Sequence, residues 1–206
     1  MPGLLAISDR RSLPDRDLES WLSWVARAGV EAVQIREKDL DDRSLWELVR
    51  TARALLPPET LLLVNGRLDL ALSAGADGVH LPSDGVPVAA LRRRFGREVL
   101  IGVSTHRVEE VVRAREEGAD YATFGPVWET PGKGAAVGAR ELARAAATGL
   151  PVLALGGVTI ERFGEVAAAG AAGVAAIRLF QRPPELRAAV EAAARSFPAG
   201  ARLGTR

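Results

Sequence analysis

RAGVEAVQI (27–35), SAGADGVHL (73–81), EEGADYATF (116–124) and AAGAAGVAA (168–176) are four versions of one phrase. Each ends an amphipathic stretch, places a glycine, follows it with small or acidic residues, and runs into an apolar segment. The glycines are Gly29, Gly75, Gly118 and Gly170. A glycine there suits a helix C-cap, where the chain needs a left-handed residue before it turns into the next strand. A repeat of this length holds about two strand–helix units, so four copies predict eight strands.

Working outward from the phrase, the remaining apolar runs fall into place. Strand candidates are 4–7, 32–35, 61–64, 78–81, 99–103, 121–124, 152–155 and 174–177, each short enough for a buried parallel strand. Helical periodicity occupies segments such as 18–28, 45–56, 108–117 and 160–169. Eight alternating units predict an α/β protein, a single (β/α)8 TIM barrel spanning residues 1–206, over an open doubly wound sheet. Pro57-Pro58, Pro131-Gly132 and Pro183-Pro184 punctuate loops and divide no domains, and the stretch after Ser196 reads as a frayed end.

Composition narrows the function classes. With 206 residues and 48% hydrophobic content the chain can bury a substantial core. Lys and Arg number 27 against 26 for Asp and Glu, a balance that argues against a nucleic-acid partner. The absence of cysteine excludes disulfides, thiolate metal sites and a cysteine nucleophile. No apolar run approaches the roughly 18 residues of a membrane span, and MPGLLAISDR lacks the charge pattern of a signal peptide. No membrane partner is expected and the default compartment is the cytoplasm; a homo-oligomer is left open.

A (β/α)8 barrel builds its site from the loops after the C-terminal strand ends. Polar residues collect there: Ser8-Asp9, then Gln34, Arg36 and Lys38, then Asn65, His80, and Ser104-Thr105-His106. A glycine-rich loop, 125–138, carries Thr130 and Lys133. Gln34 and Arg36 share one face by the strand period of two. Lys38 reads equally well as part of a solvated charged face. His80, between Val79 and Leu81, reads first as a core or rim histidine. Beside His106, Ser104 or Thr105 is placed to cap the following helix. Gly156-Gly157 follows the seventh strand and precedes a helix opening at Thr159, the place where such barrels bind phosphate on backbone N–H groups. The backbone at Ile177-Arg178 would close the same pocket, although a glycine pair also suits a tight turn.

VQIREK (33–38), VNGRLDLALSAGADGVHLP (64–82), IGVSTH (101–106), ADYATFGPVWET (119–130) and LALGG (153–157) together resemble the thiamin phosphate synthase superfamily across nearly the whole chain. The resemblance implies ligand contacts from Gln34, Arg36, Lys38, Ser104, Thr130 and Lys133, and a phosphate loop at Gly157, Ile177 and Arg178. Two branches are in view. Synthases join a pyrimidine diphosphate to a thiazole phosphate and hold Mg²⁺ on two aspartates; the matching positions here are Gly66 and Gly85. VNGR, HLPSDG and WET are similar to the TenI-like thiazole tautomerase branch, which implies an isomerase that aromatises a thiazole carboxylate phosphate with neither metal nor cofactor. That branch can carry a catalytic histidine where this chain has Pro126, as in the synthases, so His106, and after it His80, are the candidate proton carriers. The alternatives are a synthase with ligands relocated to Asp69 or Asp84, and a non-catalytic regulatory binder of a phosphorylated ligand.

Overall fold

The computed structural model describes residues 3–13 and 16–197, so the expected frayed tail lies, Phe197 apart, outside the described residues. Eight strands alternate with eight helices: β1 Leu4–Ile7, α1 Leu18–Ala28, β2 Ala32–Ile35, α2 Asp42–Leu55, β3 Leu61–Asn65, α3 Leu68–Ser73, β4 Gly78–Leu81 and α4 Val88–Phe95 in the first half. The second half continues with β5 Leu100–Thr105, α5 Val108–Glu116, β6 Tyr121–Phe124, α6 Gly138–Ala146, β7 Val152–Leu155, α7 Phe163–Ala168, β8 Gly173–Ala176 and α8 Pro183–Ser196. All neighbouring strands are parallel and β8 returns to β1, so the sheet closes into the (β/α)8 barrel that the repeat predicts.

The repeat phrase has a physical meaning at both of its ends. Gly29, Gly75, Gly118 and Gly170 have φ of +76°, +80°, +89° and +80°, the left-handed conformation that ends a helix. The acidic residue that follows pins the bottom of the barrel. Asp77 Oδ2 accepts from Leu62 N at 2.8 Å, Asp120 Oδ2 from Ile101 N at 2.7 Å, and Glu31 Oε2 from Gly3 N at 2.7 Å. Each carboxylate thus satisfies an amide at or just before the start of the adjacent strand, where the ladder leaves one unpaired. In the fourth copy the position is Ala172 and no such pin forms.

Strand parity divides the core. Leu4, Ala6, Val33, Ile35, Leu62, Val64, Val79, Leu81 and Ile101 face the helices. Leu5, Ile7, Ala32, Leu63, Tyr121, Leu153 and Ala175 fill the barrel. Tyr121 fits because β5 offers no side chain opposite it: a Cβ on Gly102 would lie 2.1 Å from Tyr121 Cζ. Closure is fastened by Trp21, whose buried indole Nε1 donates to Phe180 O at 2.7 Å.

Several boundaries differ from the sequence reading, those of β5 and of the helix after Thr159 among them. Ser104 and Thr105 lie inside β5, paired with Thr123 and Phe124, and do not follow it. The expected cap does not form: Thr105 Oγ1 donates to Thr123 O at 2.9 Å, while Glu110 Oε2 accepts from His106 N at 2.7 Å at the start of α5. The segment after Thr159 opens as a 3₁₀ turn, Ile160–Arg162, before α7, and Thr159 makes no side-chain cap.

Candidate active site

The upper layer of the barrel interior is polar. Gln34, Asn65, His80, Ser104 and Thr123 share the inward parity of Ala32, Leu63 and Tyr121, one step closer to the C-terminal mouth. Gln34 Nε2 donates to Asn65 Oδ1 at 3.1 Å. Its Oε1 is buried with no partner among the described residues, an acceptor that costs free energy until something donates to it. His80 is 2% exposed, with Nδ1 2.8 Å from Tyr121 Oη, Nε2 3.0 Å from Ser104 Oγ, and Thr123 Oγ1 at 3.4 Å. Burial, helped by the nearby charge of Arg36, pushes its imidazole down to about 3, so the ring stays neutral. The core-histidine reading of His80 describes this environment.

Arg36 is held at the top of β2 by Ser8 and by Glu37, which the sequence reading did not single out. Its N–H donates to Ser8 Oγ at 2.9 Å, and Ser8 Oγ donates to Glu37 Oε1 at 2.5 Å. Glu37 also accepts from Arg10 N at 3.1 and 3.2 Å. Burial pushes the Glu37 carboxyl up while these hydrogen bonds oppose the shift. Nearby, hydrogen bonding from Arg10 holds Asp39 down to about 2. The ends of β1 and β2 are thereby locked together, with the Arg36 side chain half-buried beside His80.

The glycine pair after β7 is shaped by close packing. Gly156 and Gly157 have φ of +92° and +62°. A Cβ on Gly156 would lie 2.7 Å from Pro126 and 3.1 Å from Thr130 Oγ1, and one on Gly157 would lie 2.7 Å from Glu129 O. Only glycine lets the loop after β6 sit against this turn. Trp128 N donates to Gly156 O at 3.1 Å and Arg162 Nη1 to Gly157 O at 2.6 Å, the guanidinium lying 4.8 Å over the Trp128 ring. The Gly157 and Val158 N–H groups donate to no carbonyl among the described residues, which leaves two amides for an anion. The six-residue α7 after the 3₁₀ turn adds little dipole of its own. Ile177 leaves β8 next to this turn, since Leu155 pairs with Ala175.

Not every candidate converges. Lys38, Lys133 and Arg178 are exposed at the rim, with Lys133 N donating to Thr130 O at 3.1 Å. His106 is exposed, its backbone N–H held by Glu110 and its Nδ1 donating to Gly125 O at 2.5 Å. That bond anchors the root of the loop after β6. Tyr121 and Thr123 went unrecognised although the same period of two that paired Gln34 with Arg36 places them on the inner face.

The carboxylate pair that the synthase pattern uses for Mg²⁺ has no counterpart in these residues. Gly66, at φ +69°, follows Asn65, and Gly85 closes an exposed turn. Asp69 does not substitute: both it and Asp42 are bound by the Arg67 guanidinium. Asp84 stands on the exposed turn. Among the described residues no three His, Asp or Glu side chains gather as a cation site. Since Mg²⁺ takes carboxylates among its few protein ligands, the donor set does not fit it.

Comparison with known proteins gives a consistent picture. A family model described as thiamine monophosphate synthase matches residues 4–180. A protein of Geobacter sulfurreducens named putative thiamine-phosphate synthase is 44% identical over 189 residues, 89% of each chain. The thiamine-phosphate synthase of Roseiflexus sp. is 39% identical over 194 residues, 90% of this chain and 81% of that one. The structure of thiamine phosphate pyrophosphorylase from Pyrococcus furiosus superposes with a TM-score of 0.80 at 30% identity, covering 92% of this chain and 96% of that chain. No helix among the described residues is long and apolar enough to cross a membrane.

These findings correct the isomerase expectation. Relatives at this level carry the synthase name and none of those compared is named as a tautomerase. Pro126 packs on Gly156 and cannot carry a proton, His80 is sealed and neutral, and His106 donates from Nδ1 to Gly125 O. The proton-carrier roles expected of His106 and His80 belonged to the tautomerase reading and are not carried further.

Proposed function

The chain belongs to the thiamine monophosphate synthase family, which places it among enzymes of thiamine biosynthesis, and from that premise we propose that it is a transferase joining a pyrimidine diphosphate to a phosphorylated thiazole. One observation carries this reading: identity of 44% and 39% to named synthases over most of both chains. Under it, the amides of Gly157 and Val158, between the β7 and β8 ends, hold the thiazole phosphate. The buried Gln34 Oε1 accepts from an N–H of a heterocycle, and Ser104 faces the same mouth. As the new bond forms, the diphosphate departs carrying the bonding electrons, and half-buried Arg36 is the cation that would meet its charge, with Lys38 and Lys133 exposed at the rim as further candidates. No step is assigned to Mg²⁺, because the carboxylates that would hold it are absent from Gly66 and Gly85.

The test is direct. Purified protein is incubated with the pyrimidine diphosphate and the thiazole phosphate, and thiamine phosphate is measured by chromatography. Product above the no-enzyme rate supports the reading. Absence of product, with magnesium present and both substrates at millimolar concentration, overturns it.

A further inference from the structure

Tyr121 is 1% exposed on the inner face of β6, packed with Leu5, Ile7, Ala32, Leu63, Leu153 and Ala175. Among the described residues its hydroxyl meets one hydrogen-bonding atom, His80 Nδ1, at 2.8 Å. A phenol sealed among apolar side chains can satisfy its proton only by donating it to that nitrogen; the reverse polarity strands the proton at a cost of about 1–3 kcal/mol. A neutral imidazole carries a single N–H, so accepting at Nδ1 puts the hydrogen on Nε2. That N–H has two oxygens within reach, Ser104 Oγ at 3.0 Å and Thr123 Oγ1 at 3.4 Å. The shorter contact goes to Ser104.

A serine hydroxyl that accepts from the protein keeps its own hydrogen to give away. Ser104 is half-buried near the C-terminal end of β5, on the inward parity that opens into the mouth. The charge of Arg36, which acts on His80, makes that mouth favourable to anions. We infer that Tyr121, acting through His80, fixes Ser104 as a hydrogen-bond donor to an anionic phosphoryl oxygen of the bound ligand. Tyr121 and His80 are positioning residues in this scheme, and only Ser104 touches the ligand. The chain of donors runs one way, from a phenol in the dry interior to the ligand at the surface. The assignment rests on the proposed reading only in taking the ligand to be phosphorylated.

The experiment has two readouts, neither of which needs turnover. The first is the ¹⁵N spectrum of the His80 side chain, which reports which ring nitrogen is protonated. The folded wild-type protein is expected to show a single Nε2–H tautomer, and an Nδ1–H tautomer would overturn the inference. The second is the affinity for inorganic pyrophosphate by calorimetry in Tyr121→Phe, Ser104→Ala and the double variant, each verified as folded by circular dichroism. Loss of the phenol donor should yield mixed tautomers and weaken binding about three- to tenfold, Ser104→Ala should weaken it at least as much, and the double variant should match Ser104→Ala. Wild-type affinity in Tyr121→Phe alongside a loss in Ser104→Ala would sink the relay. Should Tyr121→Phe fail to fold, the wild-type tautomer alone decides. An Nε2–H tautomer with normal pyrophosphate binding but no thiamine phosphate product would overturn the proposed activity and leave the relay standing.

Discussion

Gln34 donates its amide N–H to Asn65 Oδ1 at 3.1 Å and by doing so turns its own Oε1 into a buried acceptor with no partner among the described residues. Two neighbouring strands thus fix a side chain's polarity before any ligand arrives. Replacing Gln34 by Leu removes one modest hydrogen bond and one unsatisfied carbonyl together, so folding stability should change by less than about 1 kcal/mol. Affinity for the pyrimidine diphosphate, the substrate that can offer an N–H to this acceptor, should fall at least fivefold. Denaturant melts and calorimetry on the same samples test both halves; retained affinity would remove Gln34 from the site.

Gly157 lies at φ +62° with a virtual Cβ 2.7 Å from Glu129 O. Gly157→Val must therefore strain the backbone and displace the loop after β6. We expect a loss of roughly 1–3 kcal/mol in stability and at least tenfold in inorganic phosphate affinity. Unchanged phosphate affinity in a folded variant would place the anion elsewhere.

Asp120 serves the bottom of the barrel, far from the mouth, accepting from Ile101 N and from the Arg92 guanidinium. Asp120→Ala leaves an amide and a largely buried cation unpaired, and a loss of about 2–4 kcal/mol is expected. Because the pins and the mouth occupy opposite ends of the strands, KM for either substrate should stay within twofold of wild type. A large rise in KM would show that the two ends are coupled.

His80 has a folded value of about 3 against an ordinary value of 6.5. The unfolded chain takes up a proton on this ring that the folded chain refuses. Stability contributed by His80 is therefore fully present above about pH 6.5 and is lost as pH falls toward 3. Urea midpoints measured at pH 7 and pH 4.5 should drop markedly in wild type and less in His80→Gln. Asp39, held to about 2, contributes its own loss at lower pH. Identical slopes in the two proteins would contradict the neutral buried assignment.

The residues at Gly66 and Gly85 set the last expectation. Titration of Mg²⁺ into the ligand-free protein should show no binding below the millimolar range. Gly66→Asp, at a φ that aspartate tolerates, offers a carboxylate where the synthase pattern has one. A micromolar site in the wild-type protein would mean that the described carboxylates are not its donors.

The repeat made the fold legible, because it records a local necessity. A helix that turns directly into a strand commonly ends on a left-handed residue, and glycine at 29, 75, 118 and 170 supplies it in each copy of the repeat. Period-two parity likewise gave Gln34 with Arg36. The same parity held the information that Tyr121 and Thr123 face inward, but nothing local to β6 announces that a phenol will find a histidine 41 residues away.

What the sequence determined by itself was therefore the barrel, its strand order and the end at which polar residues gather, since these follow from periodicity and backbone conformation within short segments. Tertiary structure alone decided which of those polar groups meet. Closing the sheet brings His80 between Tyr121 and Ser104, assigns Arg67 to Asp42, and ties His106 Nδ1 to Gly125 O. Those outcomes depend on distances between elements far apart in the chain, and on the burial that keeps His80 neutral. The spacing of residues along one strand encodes neither.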